Sequence, residues 1–145
     1  MQRIITRVLL ALLGLVTAVT GVWPTVSPMG FYRSFPGFRH GWISMDGPFS
    51  EHLLRDYGAL SLALAAMLIG AAVIGTTTVA RLACVAMLLF TAPHFAYHLG
   101  HIGHFASIDQ VLIIGSLALT VLVPLVLLFV PGRPRSREVS SSATP

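Results

Sequence analysis

The stretch Pro93-His94-Phe95-Ala96-Tyr97-His98-Leu99-Gly100-His101-Ile102-Gly103-His104 sets four histidines within eleven residues, at the end of an apolar run that begins at Leu82. A long uncharged run that closes on polar residues is the pattern of a helix leaving a bilayer. Three further runs repeat it: Ile4–Trp23, interrupted only by Arg7, then Tyr57–Thr76 and Val111–Val130. At ~1.5 Å rise per residue, about 18–20 residues cross a ~30 Å hydrocarbon core. Inside that core every backbone polar group needs an internal partner, so the runs must be helical. The expected fold is all-α, a four-transmembrane-helix bundle with helices at about residues 4–23, 51–76, 80–99 and 108–130.

Composition agrees. The 145 residues are 55% hydrophobic and 10% charged, with a mean hydropathy of +0.83, which places the chain among membrane proteins. The net charge is +4 and all basic residues are Arg. These charges flank apolar runs and form no single stripe, so they anchor and orient; no nucleic-acid partner is expected. The single cysteine, Cys84, excludes an internal disulfide and Cys-x-x-Cys chemistry. The first run could also be read as a signal peptide behind Arg3 and Arg7, but its cleavage region is poor, and an uncleaved helix is expected.

The arginines set the expected topology. Arg3, Arg7, Arg81, Arg133, Arg135 and Arg137 share one side if both termini are cytoplasmic, against Arg33, Arg39 and Arg55 on the other. An Arg-only, Ala- and Val-rich composition hints at a GC-rich bacterial genome, so the expected location is the bacterial cytoplasmic (inner) membrane, with residues 1–130 as the membrane domain and 131–145 as a disordered basic tail. His40, His52, His94, His98, His101 and His104 all then face outward, together with Glu51, Asp56 and Asp109.

The connection 24–50 is too long for a structureless loop and rich in aromatic residues. It reads either as a belt at the headgroups or as a lid over the outer end of the bundle, with Phe31, Tyr32, Phe35 and Trp42 as lid residues. Ser50 is the expected N-cap of the second helix, and Ser107 with Gln110 reads as a capping box for the fourth. Asp109 would then be only a first-turn acid favoured by the helix dipole. Pro93 and Pro124 should each free a carbonyl one turn earlier. Gly14/Ala18, Ala59/Ala63 and Ala71/Gly75 are small-residue pairs that permit close helix packing.

His94 and His98 are four apart and His101 three further on, so a continuing helix would put them on one face. Gly100 and Gly103 suggest instead that His101 and His104 belong to the loop. In the second helix, His52 and Asp56 are four apart, as are Glu51 and Arg55, and Arg55 should pair with Glu51. Asp56 should pair with His52, Arg39 or Arg33. Imidazoles oriented by carboxylates suit Zn, Cu or Fe. The candidate metal site is His52, Asp56, His94 and His98, with Glu51, Arg55, His101, His104 and Asp109 as a further polar site. A single haem ranks behind a simple metal ion. The competing view is structural polar packing at the interface, and a proton-linked role also follows from imidazole titration. No nucleotide-binding or hydrolase signature is present, and the residues assign no reaction.

The segments Phe31-Tyr32-Arg33-Ser34-Phe35-Pro36-Gly37, Glu51-His52-Leu53-Leu54-Arg55-Asp56-Tyr57-Gly58-Ala59 and Pro93-His94-Phe95-Ala96-Tyr97-His98 resemble motifs of a family of small four-helix bacterial membrane proteins, and more loosely the DoxX-like proteins. The resemblance implies the same topology and singles out the same polar residues, without supplying an activity. Three functional expectations follow: a metal-binding or redox-accessory protein, a non-catalytic subunit or assembly factor of a larger membrane complex, or a binder of a small lipophilic ligand such as a quinone or lipid. The lipid bilayer is a partner in all three.

Overall fold

The computed structural model describes residues 2–39 and 41–130, and these are all helical or irregular. His40 and the tail arginines lie outside them. The elements are α1 (Gln2–Val26), α2 (Pro28–Ser34), α3 (Trp42–Asp46), α4 (Glu51–Ile74), α5 (Thr77–His101), a 3-10 turn (Ile102–His104) and α6 (Ser107–Leu128). Four of these, α1, α4, α5 and α6, are long and apolar enough to cross a membrane. Their outward side chains include Leu12, Val19, Val73, Leu89, Leu119 and Val126, all largely exposed. Such a surface is costly in water and cheap in lipid.

Helix ends differ from expectation for local reasons. α1 runs through Pro24 to Val26, and the residues that follow fold into the short helices α2 and α3. α4 stops at Ile74 because Gly75 adopts φ +72°, a left-handed conformation open to glycine at little cost. Ser50 caps α4 as expected, accepting from the Leu53 N–H at 3.4 Å. The Ser107 capping box does not form. Ala106 occupies the N-cap position, and the Gln110 side chain reaches back to the Phe105 carbonyl at 2.8 Å. α5 continues past Gly100, so His101 is its last residue and His104 lies in the 3-10 turn.

The four long helices alternate in direction. α1 packs most closely on α4 and α5 on α6, and the two pairs meet along α4 and α5. The α1–α4 crossing is tight because glycines face it. A Cβ built on Gly14 would come within 2.8 Å of the Ile69 side chain, and one on Gly21 within 3.0 Å of the Gly58 carbonyl. The small residues that matter are thus Gly14, Gly21 and Gly58. Ala59 and Ala63, expected at an interface, are exposed. A continuous apolar core (Leu10, Leu13, Leu64, Leu68, Cys84, Met87 and Leu127 among others) fills the half of the bundle around the α4–α5 turn.

Basic side chains meet the carbonyls at the C-terminal ends of all four long helices. Arg55 donates to Thr25 O of α1 at 2.6 Å, and Arg7 to Ala72 O of α4 at 2.6 Å. Arg81 donates to Leu128 O at the end of α6 at 3.1 Å, and His101 Nδ1 lies 2.8 Å from Tyr97 O in α5. The three arginines, as cations at this end of a helix dipole, contribute about 0.3–1 kcal/mol each. Three of the four bonds also tie one helix to another.

Candidate functional site

The end of the bundle opposite the α4–α5 turn is closed by residues 27–39 and 41–50. Phe31 of α2 is buried against Trp23, Phe35 and Tyr57, at centroid distances of 5.7, 4.7 and 6.1 Å. Trp42 of α3 is buried with Phe105 and Ile113. Tyr32 donates to the Gly47 carbonyl at 2.9 Å and packs against Phe49. Phe31, Tyr32, Phe35 and Trp42 are therefore packed into a cap at this end of the bundle, while Phe38 remains exposed.

The cap is tied to α6 through Asp109. Arg39 meets its carboxylate with two bonds, and the Trp42 indole N–H donates to the same Oδ1 at 2.9 Å. Asp109 is thus the anchor of the cap and more than a first-turn acid. Of the partners expected for Asp56 (His52, Arg39 or Arg33), Arg39 pairs with Asp109 instead, and His52 is the one that meets Asp56. The bond to Asp109 and the nearby charge raise the Arg39 pKa above its ordinary value.

Beneath the cap, aromatic rings continue into the histidines. Tyr57 of α4 contacts Phe90 and His94 of α5 at 5.9 and 6.4 Å. Phe90 stacks on His94 at 5.6 Å and 13°, and His94 packs edge-on against His98 at 4.8 Å. Pro93 lies within α5 without breaking it, so His94 and His98 keep the one-turn spacing. The Asp46 carboxylate, at the end of α3, is near enough that its charge acts on both imidazoles. His98 Nδ1 is buried and has no hydrogen-bond partner. An unsatisfied buried polar atom of this kind is uncommon.

The four expected metal ligands do not form one set. His52 pairs with Asp56 at 3.3 Å on an outer face of α4, with side chains 89% and 63% exposed, while His94 and His98 pack inward. Among the described residues, no three of His, Cys, Asp or Glu are grouped so as to hold a metal ion. Glu51 and Arg55 pair as expected, Nη2 to Oε1 at 2.8 Å. His101 stacks on Tyr97 at 4.1 Å and His104 lies tilted against Phe105 at 4.2 Å, both outside the His94–His98 contact.

Sequence reasoning missed Asp46, Tyr57 and Ser61 as members of this region. Asp46 is one of only five acids in the chain, but nothing in its spacing links it to α5. Ser61 was detectable: Leu54, Gly58, Ser61, Ala65, Leu68 and Ala72 alternate by four and three, and all are buried. Comparison with family models, curated proteins and solved structures returned no match.

Proposed function

We propose that this is a multi-pass protein of the bacterial cytoplasmic membrane, with both termini inside, that binds a small lipophilic ligand bearing a carbonyl or hydroxyl group beneath its aromatic cap. Quinones and neutral lipids are the classes that fit. The observation that carries this reading is His98 Nδ1, buried and without a partner, beside His94 and a wall of aromatic rings. Depending on tautomer, an imidazole nitrogen donates to a carbonyl or accepts from a hydroxyl. Rings such as Tyr57 and Phe90 supply flat apolar surface. Arg39 and Arg55 are each taken by a carboxylate, which disfavours an anionic ligand.

The topology is supported by Arg3, Arg7 and Arg81 at one end of the bundle, as the positive-inside rule requires. Kinship with small four-helix bacterial membrane proteins, loosely DoxX-like, belongs to the same proposal. A metal-binding or redox-accessory role has only the His94–His98 pair as its base, and a subunit or assembly role needs no ligand at all.

The test is titration of purified protein in lipid nanodiscs with a short-chain quinone and a neutral diacylglycerol, read by quenching of Trp23 and Trp42 fluorescence. Saturable binding that weakens about tenfold or more in His98→Ala supports the proposal. Stoichiometric uptake of Zn, Cu or Fe lost in the same variant, without binding of either lipophile, replaces it with the metal reading. Binding of neither class leaves the subunit reading.

A further inference from the structure

Three buried side chains in the membrane helices carry hydroxyl groups: Thr17, Ser61 and Thr91. Thr17 donates to Leu13 O at 2.7 Å and Thr91 to Met87 O at 2.9 Å, each using the carbonyl four residues back. Ser61 does not. It is the most buried of the three, at 1% exposure, and no bond of acceptable geometry reaches its Oγ. Its analogous acceptor would be the carbonyl of Tyr57. The Tyr57 hydroxyl is within reach of those of Thr20 and Ser61 but makes no bond of acceptable geometry to Ser61 Oγ. The ring of the same tyrosine touches His94, which touches His98, whose Nδ1 is the second buried atom lacking a partner among the described residues.

Both unsatisfied atoms therefore lie on one line: His98, His94, Tyr57, Ser61. Buried polar groups without protein partners are ordinarily bonded to internal water, which needs several polar neighbours of the kind gathered around Tyr57. Ser61 lies ten residues into α4, about 15 Å along the helix, near the middle of a ~30 Å hydrocarbon core. Beyond it Leu64, Leu68, Leu10, Leu13 and Met87 close the way, and the one buried hydroxyl among them, Thr17, is already bonded to Leu13 O.

We propose that His98, Tyr57, Thr20 and Ser61 hold a dead-end file of water, entered from the capped end and stopped at mid-membrane by the leucine core. The file brings exchangeable protons to the level of Ser61 from one side and carries none across. A lipophilic ligand bonded to His98 takes the outermost position of the file and leaves the positions at Tyr57, Thr20 and Ser61 to water.

The test is water-edited solid-state NMR on the full chain, uniformly 13C-labelled, in lipid bilayers. Polarisation from water should build up several-fold faster at Ser61 Cβ and the Tyr57 ring than at Thr17 and Thr91 Cβ. That order inverts what burial alone predicts, since Ser61 is the least exposed. In Ser61→Ala the build-up at Tyr57 should slow. Equal, slow build-up at Ser61, Thr17 and Thr91 overturns the proposal. Because the comparison among these three residues is made in the unsubstituted protein, it holds even if Ser61→Ala does not fold.

Discussion

Arg39 and Asp109 meet edge to edge across 70 residues of sequence, Nε to Oδ1 at 2.7 Å and Nη2 to Oδ2 at 2.9 Å. This two-pronged contact fastens the segment after α2 to the first turn of α6, and the Trp42 indole shares the same carboxylate. Planar guanidinium and carboxylate groups match in this geometry, which gives direction as well as attraction.

Asp109→Asn keeps the shape and removes the charge. Arg39 then loses its ion pair, and Trp42 is left with a weaker acceptor. The expected outcome is a red shift of Trp42 emission, measured in a Trp23→Phe background, with a lowered thermal midpoint. Unchanged emission would show that the apolar contacts with Phe105 and Ile113 hold the cap alone.

The clasp should ignore alkaline pH. Asp109 raises the Arg39 pKa in the folded protein above its ordinary value. A cation with a raised folded pKa stabilises fully below its unfolded pKa and loses that contribution only as pH rises through the folded value. Trp42 emission should therefore stay flat from about pH 7 to about pH 10. A transition within that window, absent from Arg39→Gln, would contradict this account.

Gly58 and Gly70 lie on the same helix and should respond oppositely to alanine. A Cβ on Gly58 collides with Thr25 Oγ1 and comes within 2.8 Å of the Gly21 carbonyl, whereas one on Gly70 meets nothing within 4 Å. Gly58→Ala should cost about 1–3 kcal/mol by forcing α1 and α4 apart. Gly70→Ala should be neutral or stabilise by up to about 1 kcal/mol through helix propensity. Reversible unfolding in mixed micelles measures both.

Thr91 and Pro124 should be coupled. Pro124 has no N–H to donate to the Thr120 carbonyl one turn back, and the Thr91 hydroxyl of the neighbouring helix, whose single proton is shared with Met87 O at 2.9 Å, reaches that carbonyl at 3.3 Å. Thr91→Val should cost about 1 kcal/mol. In a Pro124→Ala background the backbone regains an N–H at that position and can satisfy Thr120 O within α6, so the same change should cost less. Strict additivity in this double-mutant cycle would mean that the bond contributes nothing.

The long helices were legible because a charge-free run in lipid has few alternatives to a helix. Ser50, Glu51, Arg55, His52 and Asp56 were legible for a related reason, since local spacing fixes which of them can touch. The partners of Arg39 were not, because Arg39 and Asp109 are joined only through the folding of α2 and α3, whose packing no periodicity encodes. The small-residue pairs failed differently. Ala59/Ala63 and Gly14/Ala18 have the same spacing, and only the burial phase set by Leu54, Ser61 and Leu68 shows that Ala59 and Ala63 face outward. The four-ligand metal set did not assemble because charge and depth place a residue at an end of the bundle but not on a face. His52 points outward from α4 while His94 packs inward from α5, and nothing in the spacing of either helix relates the two.

Arg55 and Arg7 bind α1 to α4 at opposite ends, while Arg81 and Thr91 bind α5 to α6. Each pair is thereby a stiff double rod, and the rods are joined at the short turn around Gly75. A rearrangement that spares these fastenings has one form available, the sliding or splaying of one rod against the other. Tyr57 and His94 touch across that boundary, and the Arg39–Asp109 clasp spans it through the cap, so both would register such a shift.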